Sequence, residues 1–194
     1  MTEFFLNNKK VKAKDDETIW TVAKREGIVL PHLCFADKPG YRADGNCRAC
    51  MVSIEGERVL AASCIRKPTE GMKVITNDER STKSRKMVLE LLVTDQPDRE
   101  TSHDPDSHFW NVASSVDVAK SRFDKREKTI VPCEDASHVA MSVNLDACIH
   151  CNLCVRACRE VQVNDVIGMG NRGHHSKVIF DFNDPMGDSS CVSC

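Results

Sequence analysis

Residues 3–6 and 9–14 read as two short strands joined by a turn at Asn7-Asn8. Asp15, Asp16 and Glu17 precede a segment in which Ile19, Val22 and Ala23 recur at helical spacing. Thr18 or Asp16 is the expected cap of that helix, and Gly27 its stop. Pro31 opens an irregular stretch that carries Cys34, and Met51–Glu55 and Met72–Thr76 read as further strands. Two strands, a helix and more strands within residues 1–78 predict a small α+β domain. Residues 79–94 read as a helix whose buried stripe would be Met87, Val88, Leu91 and Leu92. From 95 to 128 the chain is polar with balanced charge, and Val112, Val116 and Ala119 mark one more amphipathic helix. The expected organisation is a first domain at 1–78, a helical connector at 79–137 and a loop-rich, Cys-rich domain at 138–194.

Composition narrows the function classes. The 194 residues carry 27 basic and 29 acidic side chains, a net charge of −2, so there is no basic footprint for nucleic acid. No apolar run approaches the ~20 residues that span a bilayer. Met1–Lys9 has no basic flank followed by an apolar stretch, so a secretory signal is not expected and the cytoplasm is the expected compartment. Aromatic residues are only 5%, which leaves few large side chains for the core. The 11 cysteines are an odd count, and disulfides are rare in a reducing compartment. Their spacing is more informative. Pairs two residues apart point thiolates at one centre, which is ligand geometry for zinc or iron–sulfur.

The first set reads Cys34-x12-Cys47-x2-Cys50-x13-Cys64. Four thiolates with one close pair suit a 2Fe-2S cluster, which needs two ligands per iron. Zinc is the alternative, but zinc sites more often use two close pairs. Gly45, Asn46, Arg48 and Ala49 surround the close pair, and small residues let backbone amides approach sulfur. The run from Glu17 to Ile28, followed by Leu30-Pro31-His32-Leu33-Cys34, resembles the complex I-type 2Fe-2S ferredoxin domain. Gly45–Val52 and Ala62-Ser63-Cys64 resemble its other ligand segments. The resemblance implies a β-grasp fold.

Cys148-x2-Cys151-x2-Cys154-x3-Cys158 is the bacterial two-cluster ferredoxin run, with Arg159 where the plain run has Pro. In that arrangement the fourth Cys serves the other cluster. Cys148, Cys151 and Cys154 are therefore expected on one 4Fe-4S cluster, and Cys158, Cys191 and Cys194 on a second. A zinc knuckle or unrelated redox thiols are the alternatives. Each cubane is one ligand short, so the expectation is a longer protein continuing past Cys194, a truncated product, or a chain in which only the 2Fe-2S cluster forms.

The stretches Cys158–Gly168, Gly173–Val178 and Phe180–Met186 are similar to the N-terminal electron-transfer part of the molybdopterin-dependent, NAD-linked formate dehydrogenase alpha subunit. That resemblance implies electrons passing from formate oxidation toward a flavin/NAD-binding diaphorase subunit, with molybdopterin only in a part absent from this sequence. The same module in a NADH dehydrogenase or a hydrogenase diaphorase is the second reading; a stand-alone 2Fe-2S carrier and a zinc-stabilised interaction module are others. The related subunits carry a His-plus-three-Cys cluster after the first domain, but Gln96 stands where its His belongs and no Cys lies between Cys64 and Cys133. His103 and His108 are expected to be exposed, and His174 and His175 to be solvent-facing or near a cluster. Cys133 reads as a free or packed thiol. No residue is assigned a catalytic role.

Overall fold

The computed structural model describes residues 1–125 and 134–194. They form two compact units. The first comprises Met1–Phe35, Ala43–Thr94 and Asp106–Asp124, and the second comprises Ala36–Arg42, Asp95–Pro105 and the described residues of Lys125–Cys194.

In the first unit, β1 (Thr2–Leu6) and β2 (Lys9–Ala13) form an antiparallel hairpin with Phe4 opposite Val11. Asn7 and Asn8 take φ of 49° and 68°, the left-handed pair a two-residue turn requires. Helix α1 (Ile19–Arg25) starts at Thr18, whose hydroxyl oxygen accepts the Thr21 amide at 3.3 Å, and the chain leaves the helix through Gly27 at φ +78°. β3 (Met51–Ile54), β4 (Ala61–Ala62) and β5 (Lys73–Ile75) complete a five-stranded sheet of order β2-β1-β5-β3-β4. β1 and β5 run parallel at its centre, and the other pairs are antiparallel. Phe4, Leu6, Val11 and Ala13 alternate into the core with Val52, Ile54 and Val74, where they meet Ile19, Trp20, Val22 and Ala23 of α1. Cys50 and Cys64 belong to the same buried cluster. The two residues of β4 are too few for alternation to register in sequence.

Helix α2 (Glu79–Val93) forms where the pattern predicts it, but turned to another face. Its buried residues are Ser81, Arg85, Leu89, Glu90 and Val93, while Leu91 is exposed. The reason is chemical. Ser81 and Arg85 both donate to the Thr76 carbonyl, so part of the inward face is polar and a count of apolar positions selects the wrong one. Asp78 caps this helix by accepting the Ser81 amide, and also accepts the Ser53 hydroxyl of β3 at 2.9 Å. α3 (His108–Ser115) buries Phe109, Trp110, Val112 and Ala113. Val116 is its cap and Ala119 lies outside it, so the helix sits earlier than the spacing of Val112, Val116 and Ala119 suggests.

The second unit has little regular structure. β6 (Glu134–Asp135) pairs with β7 (Val143–Asn144), the single-turn helix α4 (Leu153–Arg156) runs on into a π-turn at Ala157–Val161, and β8 (Ile167–Gly170) pairs with β9 (Lys177–Phe180). Its buried apolar side chains include Val155, Val166, Val178, Phe180 and Met186. Polar ties do much of the rest. Asp135 accepts the Met186 amide at 2.7 Å, and Ser137 accepts the Gly187 amide at 2.7 Å. A Cβ on Gly187 would lie 2.4 Å from the Ser137 carbonyl oxygen, so only glycine permits this approach. Arg42 grips Glu160 with its Nε at 3.1 and 3.2 Å and its Nη2 at 2.8 Å, while buried Arg156 donates to the Arg42 carbonyl. Among the described residues no helix is long and apolar enough to cross a membrane.

Asp78→Ala removes both the α2 cap and the tie to β3. It is expected to cost about 1–2 kcal/mol in urea unfolding, with Asp78→Asn close to the parent because asparagine caps as well.

Candidate metal centre

The cysteines of the first set lie on the loops between elements. Cys34 lies on the irregular stretch after Pro31, Cys47 and Cys50 lie on the loop entering β3, and Cys64 follows β4 after Ser63. Cys34, Cys50 and Cys64 are buried and Cys47 is half-buried. The side chains interact in pairs, Cys34 with Cys47 and with Cys64, and Cys50 with Cys64. Backbone amides join them. The Cys47 amide donates to Cys34 Sγ at 3.4 Å and the Ala49 amide to Cys47 Sγ at 3.5 Å.

The consequence is a divided set of protons. Donation from the Cys47 and Cys64 thiols, helped by amides, holds Cys34 down at about 2. The neighbouring Cys64 side chain, with its amide and the Ser63 hydroxyl, holds Cys50 at about 6 against burial. Cys47 and Cys64, as the donors, are pushed up. Two of the sulfurs are thus poised as thiolates, the form that binds metal, and the other two release protons when metal binds. Four cysteines gathered in one place supply the two ligands per iron that a binuclear cluster needs.

Backbone conformation makes the amide contacts possible. Arg48, between two of these cysteines, is held at φ 57°, a left-handed conformation that costs a side-chain-bearing residue about 1–2 kcal/mol. Gly45 takes φ +65°, and a Cβ there would lie 2.8 Å from Ile65 Cδ1. Fully buried Ser63 donates to the Cys50 carbonyl at 2.7 Å, bracing β3 against the Cys64 turn. Trp20 donates to the Leu30 carbonyl at 3.1 Å and packs edge-on against His32 at 4.7 Å. Burial pushes the His32 pKa down, so the imidazole beside Cys34 is neutral at pH 7. Sequence spacing finds the four cysteines; it does not single out Ser63, the strained Arg48 or the buried Arg85. The one signal for Arg85 is its spacing of four from Ser81 and from Leu89.

In the second unit, Cys148, Cys151 and Cys154 lie within electrostatic reach of one another. Burial first, and then its two neighbours, pushes the Cys154 thiol up to about 11. Cys148 is raised mainly by burial, though its Sγ accepts the His150 amide at 3.4 Å. Cys158 is buried, and its Sγ accepts the Val166 amide at 3.2 Å. Asn164 ties it to the chain end, its amide donating to the Cys158 carbonyl and its side chain to Cys194 Sγ at 3.5 Å. Cys191 is half-buried, with its amide on the Ser189 hydroxyl.

Gln96 is buried, with its Nε2 lacking a hydrogen-bond partner among the described residues. His103 is exposed, as expected. His108 is exposed too, but its Nε2 lies 2.8 Å from the His32 carbonyl oxygen. His174 and His175 are exposed, with ring centroids 4.0 Å apart. Cys133 lies outside the described residues.

Comparison with known proteins gives this geometry a context. Residues 1–79 match the model of the 2Fe-2S iron-sulfur cluster binding domain. The whole chain is 28% identical to the NADP-reducing hydrogenase subunit HndD of Solidesulfovibrio fructosivorans, covering 34% of that protein. Over 91% of its length it is 28% identical to the mitochondrial NADH-ubiquinone oxidoreductase 78 kDa subunit of Candida albicans, covering 24% of it. Over 97% it is 26% identical to the probable oxidoreductase YjgC of Bacillus subtilis, covering 19%. The chain thus spans about a third or less of the length of these relatives. Among solved structures, a chain of the NAD+-reducing [NiFe]-hydrogenase in the H2-reduced state superposes with a TM-score of 0.84 at 26% identity, covering 98% of this chain and 80% of that one.

Gly45→Ala is expected to displace Ile65 and the close-pair loop, lowering the iron and acid-labile sulfide retained per chain. Gly27→Ala, where φ is +78° but no atom lies within 4 Å of the added Cβ, should cost stability alone and leave iron content at the parent value. Residues 1–79 are a 2Fe-2S ferredoxin-type domain, and the chain that carries it has its homologues among NADH-quinone oxidoreductase, hydrogenase and YjgC proteins.

Proposed function

We propose that this chain is the electron-relay module of a larger redox enzyme, built on a β-grasp domain. Cys34, Cys47, Cys50 and Cys64 hold a 2Fe-2S cluster. Cys148, Cys151 and Cys154 supply ligands to one 4Fe-4S cluster, and Cys158, Cys191 and Cys194 to a second. The observation that carries the reading is four cysteines gathered in one place, three of them buried, with backbone amides on the sulfurs of Cys34 and Cys47. A bound cluster of either kind takes up and releases single electrons. The chain's own groups favour ionisation of Cys34 and Cys50, bury three of the four sulfurs and donate hydrogen bonds that offset their charge.

For the parent enzyme, the likeness of residues 158–186 to formate dehydrogenase alpha subunits favours formate as electron source and a flavin/NAD subunit as partner. A second reading, a NADH dehydrogenase or hydrogenase module, is favoured by the names of the relatives, which include an NADP-reducing hydrogenase subunit and a NADH-ubiquinone oxidoreductase subunit. Addition of formate, NADH or hydrogen to the complex isolated from its source cell decides between them, by which one bleaches the visible absorption.

The full chain, purified without oxygen and reduced with dithionite, is expected to show a slowly relaxing paramagnetic signal with about two irons and two sulfides in the first site. Cys50→Ala should abolish that signal. A colourless, zinc-loaded product would overturn the reading. Stripping iron should also erase amide-exchange protection in residues 148–194, whose apolar core is small, while the sheet of the first unit keeps its protection. Full protection in the stripped second unit would show that metal is not what orders it.

A further inference from the structure

Arg85 is buried on the inner face of α2, and no step of the relay described above uses it. Burying a guanidinium is costly unless negative charge compensates it, and arginine cannot shed its proton to escape the cost. Its hydrogen bonds go to neutral oxygens, the Thr76 carbonyl at 2.5 Å and the Thr82 hydroxyl at 3.3 Å. Asp78 acts on it through space. So does the sulfur of Cys50: burial pushes the Arg85 pKa down, while Asp78 first and Cys50 second pull it back up. The scaffold places Arg85 at this end of the sheet: it holds the Thr76 carbonyl, Thr76 follows Ile75, and Ile75 pairs with Ser53, three residues from Cys50. α2 packs against β3, β3 begins at Met51 next to Cys50, and Asp78 pins the start of α2 to Ser53 of β3.

We propose that Arg85 is the buried countercharge of the 2Fe-2S site and sets its reduction potential, with Asp78 opposing it. The inference rests on the cluster reading of the first cysteine set. Reduction adds one electron to a site that is already anionic; no bond forms or breaks. A fixed positive charge behind Cys50 stabilises the reduced form more than the oxidised one. The low dielectric of the core preserves that difference, whereas an exposed residue such as Arg48 is screened by water.

The test is a redox titration of the full chain, following the slowly relaxing signal of the reduced 2Fe-2S site. Arg85→Met is expected to lower the ratio of reduced to oxidised cluster about tenfold at fixed ambient potential, ~59 mV for one electron. Arg85→Lys, which keeps the charge, should stay close to the parent. Asp78→Asn, which keeps the helix cap, should move the potential the opposite way from Arg85→Met. A merely structural role for Arg85 cannot give shifts of opposite sign from the two neutralisations. An unchanged potential in Arg85→Met, or shifts of the same sign in Arg85→Met and Asp78→Asn, would overturn the proposal. If Arg85→Met fails to retain iron, the remaining pair decides: a parental Arg85→Lys with a raised Asp78→Asn supports it, and an unmoved Asp78→Asn overturns it. A parent chain without the signal would overturn the cluster reading and this inference with it.

Discussion

Sulfurs gathered inside a small domain repel one another as soon as they ionise, and a protein interior offers little water to soften that repulsion. In the first unit, donors answer the problem. The Cys47 and Cys64 side chains stabilise an ionised Cys34, and Cys64 lies against Cys50 as well. The amides of Cys47 and Ala49 point at sulfur because the backbone at Gly45 and Arg48 is turned left-handed. The sheet, α1 and the Ser63 brace hold those loops in register, so the hydrophobic core and the thiol cluster are one structure: Cys50 and Cys64 are members of both.

The second unit solves a similar problem with less material. Its strands are two to four residues long, and loops carry its cysteines. Amide contacts to sulfur recur there, from His150 to Cys148 and from Val166 to Cys158. What differs is the source of order. The first unit buries an extended apolar cluster, whereas the second leans on charged and polar ties such as Arg42–Glu160 and Asp135–Met186. Exposed ion pairs such as Arg42–Glu160 contribute little individually.

Much of this was legible in the sequence. The β1–β2 hairpin, α1 with its Thr18 cap, β3, β5 and the extent of α2 follow from local rules: alternation, helical spacing, and Asn or Gly where left-handed backbone is needed. The four-thiol site was legible because ligand chemistry fixes residue type and spacing together. β4 was not, since two residues carry no period. The face of α2 was misread because Ser81 and Arg85 are buried by hydrogen bonds, and an apolar count is blind to those.

The sequence by itself determined which elements form and which side chains can bind metal, because both depend on neighbours within a few residues along the chain. Only the tertiary structure decided which cysteines meet, which loop amides reach sulfur, and that Arg85 is buried on the Thr76 carbonyl. Those outcomes depend on distances between residues tens of positions apart, on burial, and on the dielectric that burial creates. Spacing along the chain does not encode them.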